Sequence, residues 1–163
     1  MTPDLPYRPN VGAVLFNHRG QVFLGRRADI TDREVWQLPQ GGIDAGEDPQ
    51  TAVLRELREE IGTDDAAILG SHPETLTYDL PPELRGSVWG GRFRGQTQQW
   101  FALRLLADDS AIDLTAHGAP EFSAWRWAPL ESLADLDVGF KRPIYQRLAV
   151  DFAPLRDRLR RGA

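Results

Sequence analysis

The chain contains no cysteine. Disulfides, cysteine-ligated zinc, iron–sulfur centres and cysteine nucleophiles are excluded, and no disulfide-linked partner is expected. Histidine is scarce, and His18, His72 and His117 fall in separate loop-like segments, so none is assigned to catalysis. No apolar run approaches the ~18 residues that span a bilayer, so no membrane partner is expected. The opening Met1-Thr2-Pro3-Asp4-Leu5-Pro6 has no basic stretch followed by an apolar one and does not read as a secretory signal. The expected location is cytoplasmic. Positive charge is in the minority: 19 Lys and Arg against 24 Asp and Glu leave a formal charge of −5. That argues against a surface coated for nucleic acid, while a local basic patch stays open.

What is present is ordinary globular material. The 163 residues are 41% hydrophobic and 26% charged, enough for one domain over 1–163 with a substantial core. There is no internal repeat, low-complexity tract or linker. Residues 11–16 and 21–25 read as strand, turn, strand around Asn17-His18-Arg19-Gly20. Residues 36–40 are short and extended and break at Gly41-Gly42. A helix is predicted over 48–61, with Pro49 early, Val53, Leu54, Leu57 and Ile61 on one face, and Gly62 as the stop. Residues 66–80 read as one or two strands, 98–106 and 122–128 as strands, 130–136 as a short helix and 143–161 as the last helix. Strands alternating with helices predict a mixed α/β domain. Tyr78 and Trp100 are assigned to the core or to sheet faces.

The chemistry concentrates in 41–63. Gly41 is followed by Glu47, then by Arg55-Glu56-Leu57-Arg58-Glu59-Glu60-Ile61-Gly62. On a helix, Glu56, Glu59 and Glu60 stand at i, i+3 and i+4 and share a face. Crowded carboxylates repel unless cations intervene, and hard divalent ions prefer such oxygens. One reading is therefore metal-assisted chemistry on a phosphate compound. The plainer reading is a solvated acidic helix face, but it leaves the Gly-rich loop, Glu47 and Arg55 unexplained. Glu47 can pair with Arg55 and tie loop to helix.

Gly41-x5-Glu47-x7-Arg55-Glu56-Leu57-x-Glu59-Glu60-x-Gly62 resembles the signature box of the Nudix family, which hydrolyses nucleoside diphosphates linked to another moiety. Only Thr63 departs, where an aliphatic residue is usual. Tyr7-Arg8-Pro9-Asn10-Val11-Gly12, Trp36-Gln37-Leu38-Pro39-Gln40-Gly41-Gly42, Gly95-Gln96-x-Gln98-x-Trp100-Phe101, Pro120-Glu121-Phe122 and Phe140-Lys141-Arg142 are similar to one branch of it. That branch holds bacterial RNA 5′-pyrophosphohydrolases and dinucleoside polyphosphate hydrolases. The resemblance implies the Nudix fold, an α/β architecture with a mixed β-sheet sandwiched between α-helices and a loop–helix–loop box. It implies removal of pyrophosphate from the 5′-triphosphate end of RNA, with diadenosine polyphosphates or other small nucleotides as the alternative substrates. An inactive nucleotide-binding module is the remote third reading.

By the same resemblance, Glu56, Glu59 and Glu60 hold Mg2+ or Mn2+, and Glu121 completes the metal site or acts as general base. Gly41, Glu47, Arg55 and Gly62 shape the box. Arg8 approaches base or ribose, Phe140 stacks on the first base, and Lys141 meets a phosphate. Arg26 and Arg27 follow a strand and could meet phosphates, and Gln40 and Gly41 at the mouth of the Gly loop are also counted as substrate-binding, Gln40 by hydrogen-bonding a phosphate and Gly41 by letting backbone come close to the ligand. Each also has a plain structural reading: exposed strand-end arginines, core packing for Phe140, a surface Glu121. The loop 85–95 carries three arginines, four glycines, Trp89, Phe93 and no acid, and reads as an RNA contact or as a mobile surface loop. Thr97 and Gln99 stand where charged residues are usual in the branch. Arg156, Arg158, Arg160 and Arg161 read as solvated helix residues.

Overall fold

The computed structural model describes residues 5–162; the leading residues weighed above as a signal, Met1 to Asp4, lie outside them. The chain order is β1 (Tyr7–Phe16), β2 (Val22–Arg27), β3 (Trp36–Gln37), β4 (Gln40–Gly42), α1 (Pro49–Ile61), β5 (Ala66–Ser71), β6 (Leu76–Asp79), β7 (Gly95–Leu105), β8 (Phe122–Ala128), α2 (Arg142–Asp151) and α3 (Ala153–Arg160). One eight-stranded sheet runs β3-β2-β1-β7-β5, with β4 on β1, β6 on β7 and β8 on β2. Its centre is the pairing of β1 with β7 over their whole shared length, the one parallel pairing among the described residues.

Side chains alternate across a strand, so β1 splits its residues between two cores. Val11, Ala13 and Leu15 meet Val53, Leu57 and Ile61 of α1 on one face. Val14 and Phe16 meet Trp100, Tyr145 and Leu148 on the other, under α2 and α3. Gly12 is needed between them, because a Cβ there would lie 2.3 Å from the Trp100 ring. No helix among the described residues is long and apolar enough to cross a membrane.

Several sequence-level expectations are corrected. Gly41 and Gly42 do not break the chain but form β4, paired to Val11 and Asn10. β1 and β7 each begin earlier than predicted, at Tyr7 and Gly95, because each supplies the other with partners through Tyr7↔Gly95. Residues 130–135 form 3-10 turns. The last helix is two: Phe152 bends the chain (φ −94°, ψ 0°) and Pro154 opens α3. Arg156 is not solvated; it is buried at the foot of this bend between Glu131 and Asp157.

Candidate active site

α1 is built where the sequence placed it. The Asp48 carboxylate accepts from the Thr51 N–H at 2.9 Å, Pro49 occupies the first turn, and Gly62 closes the helix in the left-handed region (φ 82°). The preceding loop is clasped to this helix by Arg55. Its Nε and Nη2 donate to Glu47 at 2.8 and 3.0 Å, Nη2 donates to the Gly42 carbonyl at 2.8 Å, and Nη1 donates to Glu56 at 2.9 Å and Glu59 at 3.1 Å. The hydrogen bonds from Arg55, with the Asp44 N–H, hold the Glu47 carboxyl down at about 2. Gly41 lies so close to the helix that a Cβ would come 2.1–2.3 Å from the Glu56 carboxyl atoms.

Glu60 differs from its neighbours. It is 7% exposed, and its Oε2 has no hydrogen-bond partner. Burial, then the charges of Glu56 and Glu121, push its carboxyl well above the usual range, although the Gln40 backbone bonds it. Burial also raises Glu56, against the pull of Arg55. Glu59 is exposed. Glu121 is exposed at the start of β8, tied to the end of β2 by the Ala28 N–H on its carbonyl at 2.9 Å. Its carboxylate makes no ion pair or hydrogen bond among the described residues. Also among them, no three carboxylate or histidine side chains form a ready-made cation cage. Arg55 accounts for this, since it draws Glu56 and Glu59 to itself. A buried carboxylate with an orphaned oxygen, beside two more carboxylates, nevertheless has the chemistry of a hard-cation site.

A cavity of about 470 Å³ has Glu121 in its wall; Glu56, Glu59 and Glu60 do not line it, and Gln40, whose backbone bonds Glu60, joins the two. Of the substrate residues expected from sequence, Arg8, Arg27, Gln40, Phe140 and Lys141 all line it. Arg26 does not. Successive side chains of β2 point to opposite faces, which parts the two arginines: Arg27 faces the cavity while Arg26 pairs with Glu34 at 3.4 Å. Arg8 donates to Gln96 at 2.8 Å and lies over the Trp89 ring at 5.3 Å. Phe140 is 40% exposed and tilts against Tyr78, ring centres 5.3 Å apart.

Tyr78, Trp89 and Gln96 also line the cavity; from sequence Tyr78 was assigned to the core, where it is indeed buried, Trp89 to the loop 85–95, and Gln96 had no role of its own. For Trp89 the signal was the Trp-Gly-Gly run, which holds three successive residues at positive φ. The loop 85–95 is less free than its composition suggests. Asp79 gathers Arg85 at 3.3 Å and Arg94 at 2.9 Å, so these two arginines fold the loop back onto β6. Thr97 and Gln99 stand on the opposite face of β7 from Gln96, which explains why their lack of charge leaves the cavity untouched.

Residues 6–148 match the NUDIX domain. The chain belongs to the Nudix family. Within that family it groups with bacterial RNA pyrophosphohydrolases. It is 60% identical over 156 residues to the one from Gluconacetobacter diazotrophicus, covering 92% of this chain and 93% of that one. It is 57% identical over 150 residues to the one from Rhodospirillum rubrum, covering 91% and 88%. Among solved structures, a C. elegans Ap4A hydrolase binary complex superposes with a TM-score of 0.65 at 22% identity, over 91% of this chain and 96% of the other. The E. coli dihydroneopterin triphosphate pyrophosphohydrolase gives 0.64 at 21%, over 89% and 98%. These distant likenesses establish the Nudix fold.

Proposed function

We propose that this Nudix hydrolase removes pyrophosphate from the 5′-triphosphate end of RNA and leaves a 5′-monophosphate. The observation that carries the reading is Glu60, a buried carboxylate with an orphaned oxygen, bonded by the backbone of Gln40, which itself lines a cavity walled by arginine, lysine and aromatic groups. Glu60, with Glu56 and Glu59 as further donors, would hold Mg2+ or Mn2+. When bound, a divalent cation supplies positive charge against the phosphate oxygens and acidifies water. Arg8, Arg27 and Lys141 bind the polyanion, and Phe140 and Tyr78 offer faces to a base, a contact worth ~1–3 kcal/mol. Glu121, with its carboxylate unengaged, takes the proton of the attacking water. Arg55 sets the loop against α1 so that these groups meet.

Competition between a short 5′-triphosphorylated RNA and diadenosine tetraphosphate, with Mg2+ present, tests the reading. RNA should be preferred in kcat/KM. A preference for the dinucleotide would make the protein a hydrolase of small nucleotides, and hydrolysis of neither would leave a binding module.

Lys141 adds a pH signature. Burial, reinforced by the charge of Arg27 and opposed by Asp29, draws its ammonium down to about 8. A cation is required against phosphate, so binding is supported below that value and weakens above it. kcat/KM should therefore be level through neutral pH and decline above about pH 8. Lys141→Arg should abolish this decline, because a guanidinium stays charged throughout. An unchanged alkaline limb in that variant would remove Lys141 from substrate binding.

A further inference from the structure

Beneath the cavity runs a chain of buried amides that the phosphate chemistry above does not use. Asn10 on β1 and Gln96 and Gln98 on β7 are each 1% exposed. Burying three amides in a sheet interior is costly unless every polar atom is matched. Here they are matched, and in a fixed direction.

Both ends of the chain are groups that can only donate. At one end the Trp100 indole N–H donates to Gln98 Oε1 at 3.2 Å. The Gln98 amide must then turn its NH2 inward, where it donates to Asn10 Oδ1 at 2.9 Å. Asn10 in turn has only its NH2 left, and it donates to Gln40 Oε1 at 2.9 Å. At the other end Arg8 donates to Gln96 Oε1 at 2.8 Å. The Gln96 NH2 is thereby committed to the Tyr78 hydroxyl oxygen and, at 3.4 Å, to the same Gln40 Oε1. The Gln98 NH2 also faces that oxygen at 3.5 Å. Amide orientation is ordinarily ambiguous, but two donor-only ends leave one solution. Three NH2 groups converge on Gln40 Oε1.

The consequence appears at the cavity. Gln40 lines it, and its Oε1 is consumed by the interior, so its NH2 is the part turned outward. That NH2 makes no hydrogen bond among the described residues. The Tyr78 oxygen is already accepting, so its own proton is free to be given. Gln40 also bonds Glu60 through its backbone, which places it at the carboxylate end of the cavity.

We propose that Asn10, Gln98 and Trp100 are positioning residues that lock Gln40 with its amide NH2 facing the cavity, where it hydrogen-bonds a phosphate oxygen of the substrate. The inference deepens the proposed function and rests on the cavity being the substrate site. The network turns the free amide donor of Gln40 and the free hydroxyl proton of Tyr78 toward the ligand, so this part of the wall favours a ligand rich in acceptors.

Asn10→Asp tests the directionality with almost no change of shape. An aspartate at this place only accepts, so Gln40 must rotate its NH2 inward and turn Oε1 toward the phosphate. KM for 5′-triphosphorylated RNA should rise about tenfold or more, the scale of one charge-assisted hydrogen bond, with kcat little changed. In a Gln40→Leu background the same substitution should add nothing. Trp100→Phe removes one donor-only end without introducing a charge, and serves if the aspartate variant does not fold. It should raise KM by a few-fold, again only while Gln40 is present. A second readout needs neither metal nor turnover. In EDTA, the side-chain NH2 resonances of 15N-labelled Gln40 should move on addition of inorganic triphosphate, and should not move in the Asn10→Asp protein. The proposal is overturned if the Gln40 resonances ignore triphosphate in the native sequence. It is equally overturned if the losses from Asn10→Asp, or from Trp100→Phe where the aspartate variant does not fold, and from Gln40→Leu multiply as independent effects. If the resonances respond as expected while RNA is not hydrolysed, the positioning stands and the RNA assignment falls.

Discussion

Glu60→Gln should raise the melting temperature of the metal-free protein while abolishing turnover. Glu60 is buried with one oxygen unpartnered, and the charges of Glu56 and Glu121 bear on it. An amide of the same shape removes the buried charge and can donate to Glu56. Relieving an unsatisfied buried carboxylate is worth about 2 kcal/mol, or roughly 4–8 °C in Tm for a domain of this size. Activity should fall about 10³-fold, the scale of losing one preorganised electrostatic group. The native sequence should in turn gain Tm on addition of Mg2+ by mass action, and the variant should not. Thermal unfolding in EDTA and in Mg2+, alongside RNA hydrolysis, reads all three quantities. A variant that melts below the native protein in EDTA would show that the buried charge carries no cost, and a variant that turns over normally would remove Glu60 from the site.

The second large effect is expected from the smallest possible change. In Gly41→Ala the new methyl would lie 2.1–2.3 Å from the Glu56 carboxyl. Those atoms end a flexible side chain, so the helix can stay while the carboxylate moves away. kcat should drop about 10²-fold or more, with stability falling by less than about 3 kcal/mol. Gly70→Ala is the matched control, because a Cβ there meets nothing within 4 Å and should leave both quantities unchanged. Full activity in Gly41→Ala would mean that the position of Glu56 does not matter for the reaction.

How much of this was legible in the sequence depended on the range of the interactions. α1 was readable because its cap, its proline, its apolar face and its terminating glycine are all local. The Glu47–Arg55 clasp spans eight residues and could be read from spacing. The break at Phe152 had a local signal too, in Pro154, outweighed by an apolar period that continues across it. What escaped was long-range. Gln96 and Gln98 stand in a polar run, Gln96-Thr97-Gln98-Gln99, of the kind that ordinarily faces solvent. They lie instead on a buried face, where Arg8 and Asn10, 88 positions away, and the distant Gln40 and Tyr78 are among their partners. Arg26 and Arg27 look equivalent in sequence, and the alternation of β2 between its two faces separates their fates. Arg156 looked solvated because its acid at Glu131 comes from a different segment.

The parallel pairing of β1 with β7 also governs when the protein can exist at all. β1 emerges early in synthesis, yet its long partner lies some 88 residues downstream, so the central ladder closes late and folding is dominated by non-local contacts. Until β7 arrives, β1 has an open edge, and the apolar faces it presents on both sides need protection from association. The floor of the cavity is stitched from those same two strands. A growing chain that has not passed Trp100 therefore carries the whole α1 carboxylate set but no completed cavity, and the wall from Glu121 to Lys141 is added later still.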